Sequence, residues 1–326
     1  MGGNLFKAGR VTKERYEEIL VSLIPVLDKH FGKHYGIPRP YKDKADYGDV
    51  DIILDAGFVG NKLDWFKKIC EELGVVETHN VRNVRSMLYK NFQVDFFMTK
   101  TSEMESSINF MSYNILGNLL GRIYHKFNLR FGEAGLFYVL RGFRNHISKE
   151  IIVTRDMHKI LLFLGLSYER WKQGFNNVEE IFEYVIESPY FCSNSYSSEY
   201  YTIRKRANER PDFNKFLEYI ETNKIDKNFP FERPKEQYLG MIDLFFKTDL
   251  TSAHDKHVLR QEKLQKISEK FNGKIVKDLL NIDGKEIGVF LEKYKSGFKD
   301  EDAFGDFILI ATQKEIEQDI LLHAIK

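Results

Sequence analysis

Apolar residues recur at Tyr16, Ile19, Leu20, Leu23, Ile24, Leu27 and Phe31, in the steps of three and four that lay one stripe along a helix. A helix is therefore expected over residues 12–31. Pro25 should kink or break it, because its ring removes a backbone donor and crowds the preceding turn. Tyr35-Gly36-Ile37-Pro38-Arg39-Pro40-Tyr41 follows, too proline-rich for a central strand but suited to a sheet edge. A polar loop, Lys42-Asp43-Lys44-Ala45-Asp46-Tyr47-Gly48, then leads into Gly48-Asp49-Val50-Asp51-Ile52-Ile53-Leu54. This last stretch reads as a strand, with Asp49 and Asp51 on one face and Val50 and Ile52 on the other. A second amphipathic helix is expected over 61–73, with Leu63, Phe66, Ile69, Cys70 and Leu73 on one face and Gly74 as its C-cap. Strands are expected at 75–81, 85–90 and 92–98, the last two close enough to form a hairpin.

Residues 113–122 are helical in pattern but contain Gly117 and Gly121, which allow close approach of a backbone, a ligand or another helix. Helix packing is the preferred reading of the three. A strand pair is expected at 137–144 and 149–154, then an apolar helix at 157–164 and aromatic-rich helices through 168–186. The polar stretch 193–199 reads as a loop or boundary, and helices fill the remainder, punctuated by Gly273, Gly284 and Gly288. The expected class is α+β: a mixed sheet carrying helices, followed by a mainly helical C-terminal half. Three domains are expected, at 1–112, 113–210 and 211–326.

A chain of 326 residues can bury a large core, and its net charge of +1 gives no global pull towards nucleic acid. Any polyanion must be gripped by local patches. The densest is Tyr200-Tyr201-Thr202-Ile203-Arg204-Lys205-Arg206-Ala207-Asn208-Glu209-Arg210, where basic residues interleave with tyrosines. Such a run can bind phosphates and stack on bases, or be an ordinary charged helix face. Cys70 and Cys192 give neither a disulfide framework nor metal-ligand spacing, which fits a reducing cytosol. No apolar run approaches a membrane span and no signal-peptide core is present, so a cytoplasmic setting is expected.

The aspartate strand carries the chemistry. Two neighbouring carboxylates on one face repel each other, and a hard divalent cation with oxygen ligands is the natural counterweight. Asp95, in the strand-like run Phe92-Gln93-Val94-Asp95-Phe96-Phe97-Met98, completes a three-carboxylate site if that strand lies beside the first. Such a site can hold two metal ions and suits phosphoryl or nucleotidyl transfer. A solvated strand face with an unrelated aspartate is the alternative, but the apolar flanks, the preceding loop and the third acid favour the metal site. Asp43, Asp46 and Asp55 read as loop charges, with Asp55 a possible same-face neighbour of Asp51 but beyond the strand's useful length. Ala253-His254-Asp255-Lys256-His257 lacks the spacing of a metal helix and reads as a surface helix start.

A loop, then a strand bearing Asp-x-Asp, then a third acid on a later strand resembles the polymerase-beta-like nucleotidyltransferase superfamily. The resemblance covers roughly the first third of the chain. It implies that Asp49 and Asp51 bridge two magnesium ions, while Asp95 serves the side of the attacking hydroxyl. One departure concerns the Gly-Ser or Gly-Gly that usually opens the loop and cradles the triphosphate. Here Tyr35-Gly36-Ile37-Pro38-Arg39-Pro40 stands in its place. Either Arg39, Lys42 or Lys44 takes over phosphate binding, or nucleotide binding is altered or lost. A fainter likeness, in residues 271–291, is to the helical segment of CCA-adding tRNA nucleotidyltransferases and bacterial poly(A) polymerases, whose Arg-Arg-Asp nucleotide-selecting motif has no counterpart here.

The expectation is a nucleotidyltransferase that uses magnesium and a nucleoside triphosphate, ATP among the candidates, to modify an acceptor hydroxyl. An RNA 3′ end, tRNA included, is the preferred acceptor, with Arg204, Lys205 and Arg206 on the nucleic-acid side. The alternatives are a protein or small-molecule acceptor, or an inactive nucleic-acid-binding protein of the same fold.

Overall fold

The hydroxyl of Thr12 ends a two-residue strand, β1 (Val11–Thr12), and caps α1 (Lys13–Phe31) by accepting from the Arg15 amide. In this computed structural model, which describes residues 5–60 and 64–324, α1 continues through Pro25. The break expected there is corrected. Tyr16, Ile19, Leu23, Leu27 and Phe31 are all buried along one stripe, and packing of that stripe outweighs a single missing hydrogen bond. Gly32 stops the helix with φ 55°, its amide donating to the Asp28 carbonyl.

The next elements build the sheet: β2 (Tyr35–Gly36), β3 (Asp46–Tyr47), β4 (Asp49–Asp55), α2 (Ala56–Val59), α3 (Trp65–Leu73), β5 (Thr78–Val81), β6 (Val84–Tyr89) and β7 (Phe92–Thr99). Five of the strands pair in the order β2-β4-β7-β6-β5. The β4–β7 pair is parallel and the others antiparallel, so the sheet is mixed, as expected. β2 lies at the edge, where its proline-rich continuation costs no ladder bonds. The expected β6–β7 hairpin turns through Lys90 and Asn91, whose φ values of 51° and 59° suit a tight two-residue turn. The second amphipathic helix begins at Trp65 and ends at Gly74, φ 65°; residues 61–63 of the expected span lie outside the described residues. β5 starts at Thr78, later than expected.

Strand alternation then sorts the side chains. Val50, Ile52, Leu54, Val94 and Phe96 join the buried stripe of α1, with Ile69 and Cys70 of α3, in one core. Asp49, Asp51 and Asp95 therefore fall on the opposite face.

The chain continues through α4 (Met104–Met111), α5 (Leu116–Tyr124), β8 (Leu129–Gly132), β9 (Gly135–Arg141) and β10 (Ile147–Thr154). These last strands form a three-stranded sheet in the order β10-β9-β8. The expected strand pair is present, together with β8, which the hydrophobic pattern did not suggest. Gly117 packs against α4, and a Cβ there would stand 2.9 Å from the Phe110 carbonyl oxygen; Gly121 has open space around it. The packing reading therefore holds for the first glycine only.

Helices follow: α6 (Met157–Phe163), α7 (Tyr168–Gln173), α8 (Val178–Glu187), α9 (Tyr201–Glu209), α10 (Pro211–Thr222), α11 (Leu239–Phe246), α12 (Leu250–Lys270), α13 (Gly273–Leu280), α14 (Lys285–Ser296), α15 (Glu301–Ile310) and α16 (Gln313–Ala324). The fold is α+β with a helical C-terminal half. Within the polar stretch 193–199, Tyr196 is buried and its hydroxyl donates to the Leu119 carbonyl.

Backbone contacts divide the chain into two compact units. The first is Met1–Tyr138 with Ile151–Thr248, and the second is Val139–Glu150 with Asp249–Lys326. The boundaries expected at 112 and 210 fall inside the first unit. The second unit has its own core, in which Phe271, Val276, Tyr294, Phe304, Ile308, Ile316 and Ile320 pack together. Among the described residues, no helix is long and apolar enough to cross a membrane.

Candidate active site

The parallel register of β4 and β7 sets Asp51 directly opposite Asp95, and Asp49 opposite Gln93. Asp49 lies two residues before Asp51 and so shares its face. One carboxylate oxygen from each of Asp49, Asp51 and Asp95 lies within 4.8 Å of the other two. Two acids come from adjacent positions of one strand and the third from its neighbour, so the backbone ladder itself sets their spacing.

Burial makes this cluster costly. Asp95 is 8% exposed. Its Oδ2 accepts a hydrogen bond from Gln93 Nε2 at 2.8 Å, and Gln93 Oε1 in turn accepts from the Leu5 amide at 3.1 Å. The amide is thus held with its NH2 group towards the acid. Asp95 Oδ1 is buried and, among the described residues, has no hydrogen-bond partner. Burial pushes the Asp51 carboxyl well above the usual carboxylate range, and the charges of Asp49 and Asp95 push it further. The Asp49 carboxyl is raised by burial and by Asp95, against an opposing pull from Lys44 and Arg10. The Lys44 ammonium is lowered by burial, and Asp49 is the largest charge holding it up. Repelling carboxylates and an orphaned buried oxygen are the features a hard divalent cation would relieve, so the donor set fits such an ion.

Asp49 and Asp51 open onto a cleft of about 410 Å³, also lined by Lys44, Glu133, Arg210 and Asp212. Glu133 sits in the turn between β8 and β9, and Arg210 and Asp212 flank the first residue of α10. The aromatic anchors Phe213 and Phe216 are fully buried and hold α10 in place, Phe216 packing on Phe182 and Tyr196.

The cationic candidates separate. Lys44 lines the cleft, its Nζ 4.6 Å from the centre of the Tyr47 ring. The Arg39 guanidinium lies over the rings of Tyr113 and Trp171 and donates to the Lys172 carbonyl at 2.9 Å. Lys42 Nζ donates to Asn176 Oδ1 at 3.0 Å. Arg204 donates to the carbonyls of Ser198 and Glu199, each at 2.8 Å. Lys205 lies 3.8 Å from the Glu209 carboxylate, and Arg206 is half-buried. The residue of that basic run that lines the cleft is Arg210, which the sequence reading quoted but did not assign to the site.

The minor acids divide as well. Asp46 pairs with Arg10 at 2.7 Å, and Asp43 is exposed. Asp55 is not a loop charge: it is 3% exposed at the end of β4. It accepts from Thr101 Oγ1 at 2.6 Å and from the Gly57 amide at 2.9 Å, and pairs with His34 Nδ1 at 3.0 Å. The histidine pair falls within α12, where His257 Nε2 donates to the Arg141 carbonyl at 2.9 Å.

No family model matches the chain, and no curated protein matches it in sequence. Solved structures of Leishmania infantum polymerase beta are similar over part of it. Its ternary P/T complex aligns with a TM-score of 0.38 and 16% identity, covering 49% of this chain and 74% of the polymerase chain. Its ternary gap complex aligns with a TM-score of 0.34 and 16% identity, covering 40% of this chain and 52% of the polymerase chain. The likeness is partial, and the chemistry rests on the residues themselves.

Proposed function

We propose that this chain is a divalent-metal-dependent nucleotidyltransferase that moves a nucleoside monophosphate from a nucleoside triphosphate to an acceptor hydroxyl. The observation that carries this reading is the meeting of Asp49, Asp51 and Asp95, with one buried Asp95 oxygen left unpartnered. In the reaction, the acceptor oxygen bonds to the α-phosphorus as the bond to the bridging oxygen of the β-phosphate breaks. Pyrophosphate leaves, and the acceptor proton passes to solvent. Two magnesium ions held by the three aspartates would supply hydroxyl activation and neutralise charge on the phosphate. Asp95, whose other oxygen Gln93 holds, would serve the nucleophile's side with its unpartnered oxygen. Lys44 meets the negative charge of the nucleotide from within the same cleft.

An RNA 3′ end is the preferred acceptor, supported by the basic run Arg204, Lys205 and Arg206 on α9. The likeness of residues 271–291 to CCA-adding enzymes points to tRNA within that class. A cytoplasmic setting suits this partner and suits two unpaired thiols, Cys70 and Cys192. A protein or small-molecule acceptor is the second reading, favoured by Glu133 and Asp212, whose charge in the cleft suits a cationic or hydroxyl-rich acceptor.

Incubation with each labelled triphosphate, magnesium and total RNA tests the proposal, with Asp49→Ala and Asp51→Ala as controls. Label on RNA that disappears in both variants supports the RNA reading. Label on protein or on a small molecule supports the second. RNA binding without transfer of label to any acceptor sinks the enzymatic proposal and leaves a binding protein.

A further inference from the structure

We infer that Arg210 grips the polyphosphate of the incoming nucleotide, with Lys44 as its companion; the nucleotidyltransferase reading is the starting point. A triphosphate carries several negative charges, and fixed donors must meet those that the ions do not.

The other cations near in sequence hold partners of their own or lie away from the cleft. Arg39 lines a small pocket beside Asp49 and Asp51, but its guanidinium is laid over Tyr113 and Trp171 and donates to the Lys172 carbonyl, and Lys42 is tied to Asn176. Arg204 is turned onto two backbone carbonyls, and neither it nor Lys205 nor Arg206 lines the cleft. Lys44 and Arg210 remain, and both line the cleft onto which Asp49 and Asp51 open.

Arg210 has the attributes of a phosphate ligand. Its backbone is held at both ends: the amide donates to the Arg206 carbonyl at 2.9 Å, and its own carbonyl accepts from Phe213 at 3.0 Å and Asn214 at 3.2 Å. Phe213 and Phe216 anchor the helix that follows. The guanidinium, by contrast, is exposed and makes no side-chain hydrogen bond or ion pair among the described residues. A fixed stem with uncommitted donors suits bidentate contact with phosphate oxygens, which the planar guanidinium makes and an ammonium does not.

Calorimetric titration of the full chain with inorganic tripolyphosphate and magnesium tests the assignment without turnover. The same titration is run with a nucleoside triphosphate analogue whose α,β bridge cannot be cleaved. Arg210→Ala is expected to weaken both by roughly tenfold or more, Arg210→Lys to recover part of the loss, and the unfolding midpoint to stay put. Equal affinity in wild type and Arg210→Ala overturns the assignment, and does so without touching the nucleotidyltransferase reading if wild type still transfers label. Failure of wild type to bind tripolyphosphate also overturns it. Binding that depends on Arg210, in a protein that transfers label to no acceptor, keeps the polyphosphate site and rejects the enzymatic reading. Should Arg210→Ala melt early, Arg210→Gln, which keeps the stem, is read by the same criteria.

Discussion

Asp51 and Asp95 stand opposite each other in register on two parallel neighbouring strands, and Asp95 is flanked on its other side by Ser86 of β6. The sheet thus holds two acids at the closest spacing its ladder permits, with Asp49 as a third. Without a cation this arrangement works against folding. Asp51→Asn should therefore raise the stability of the metal-free protein, by roughly 1 kcal/mol, while abolishing transfer and the stabilisation that magnesium gives the wild type. Thermal unfolding in chelator and in magnesium, side by side, checks both. A variant less stable than wild type in chelator contradicts the repulsion.

Gln93 orients the third acid. Its amide donates to Asp95 at 2.8 Å from two residues away on the same strand face. Gln93→Leu removes that donor at similar volume, and outer partners of metal ligands typically matter by about 10–100-fold in affinity. Divalent-ion titration should show a loss of that order. Unchanged affinity means that the strand alone positions Asp95.

Asp55 gives the protein an acid-sensitive joint at the other end of β4. Burial pushes its carboxyl up, but hydrogen bonds from Thr101, His34 and the Gly57 and Phe58 amides outweigh this and leave it below the usual range. A carboxyl lowered on folding stabilises the protein above its unfolded value, and that contribution fades as pH falls through the folded value. Asp55→Asn should cost on the order of 1–3 kcal/mol at neutral pH, and the gap to wild type should close towards acid. Denaturant unfolding at neutral pH and at several acid values measures it. A gap that widens on acidification refutes the assignment.

Two glycines of α5 should respond oppositely to alanine. At Gly117 the added Cβ would press on the Phe110 carbonyl and ring at 2.9 Å, so α4 must shift, at a cost of about 1–3 kcal/mol. At Gly121 nothing lies within 4 Å, and alanine should stabilise by roughly 0.5–1 kcal/mol through its helix preference. Paired melting curves decide. Equal effects at the two sites would mean that the α4–α5 contact bears no load.

The aspartate site was legible because strand alternation is a local rule. Asp49, Val50, Asp51 and Ile52 declare their two faces without reference to anything else in the chain. Asp95 could be added because its run is short, apolar and close behind a hairpin. Arg210, Glu133 and Asp212 could not be assigned, since they reach the cleft only through the turn of β8–β9 and the packing of α10, which no periodicity reports. Asp55 misled for a related reason. A capping acid and a loop acid look alike until Thr101 and His34 are brought to it. The break considered at Pro25 is absent because the burial of five side chains along α1 outweighs one missing backbone donor.

The excursion between β4 and β7 runs through the wholly exposed strand β5. Cleavage there would leave Asp49 and Asp51 on one fragment and Asp95 on the other, each short of a full coordination set. Their re-association would rebuild the β4–β7 ladder and the shared apolar core, and with them the carboxylate cluster, so the fragments are expected to complement each other.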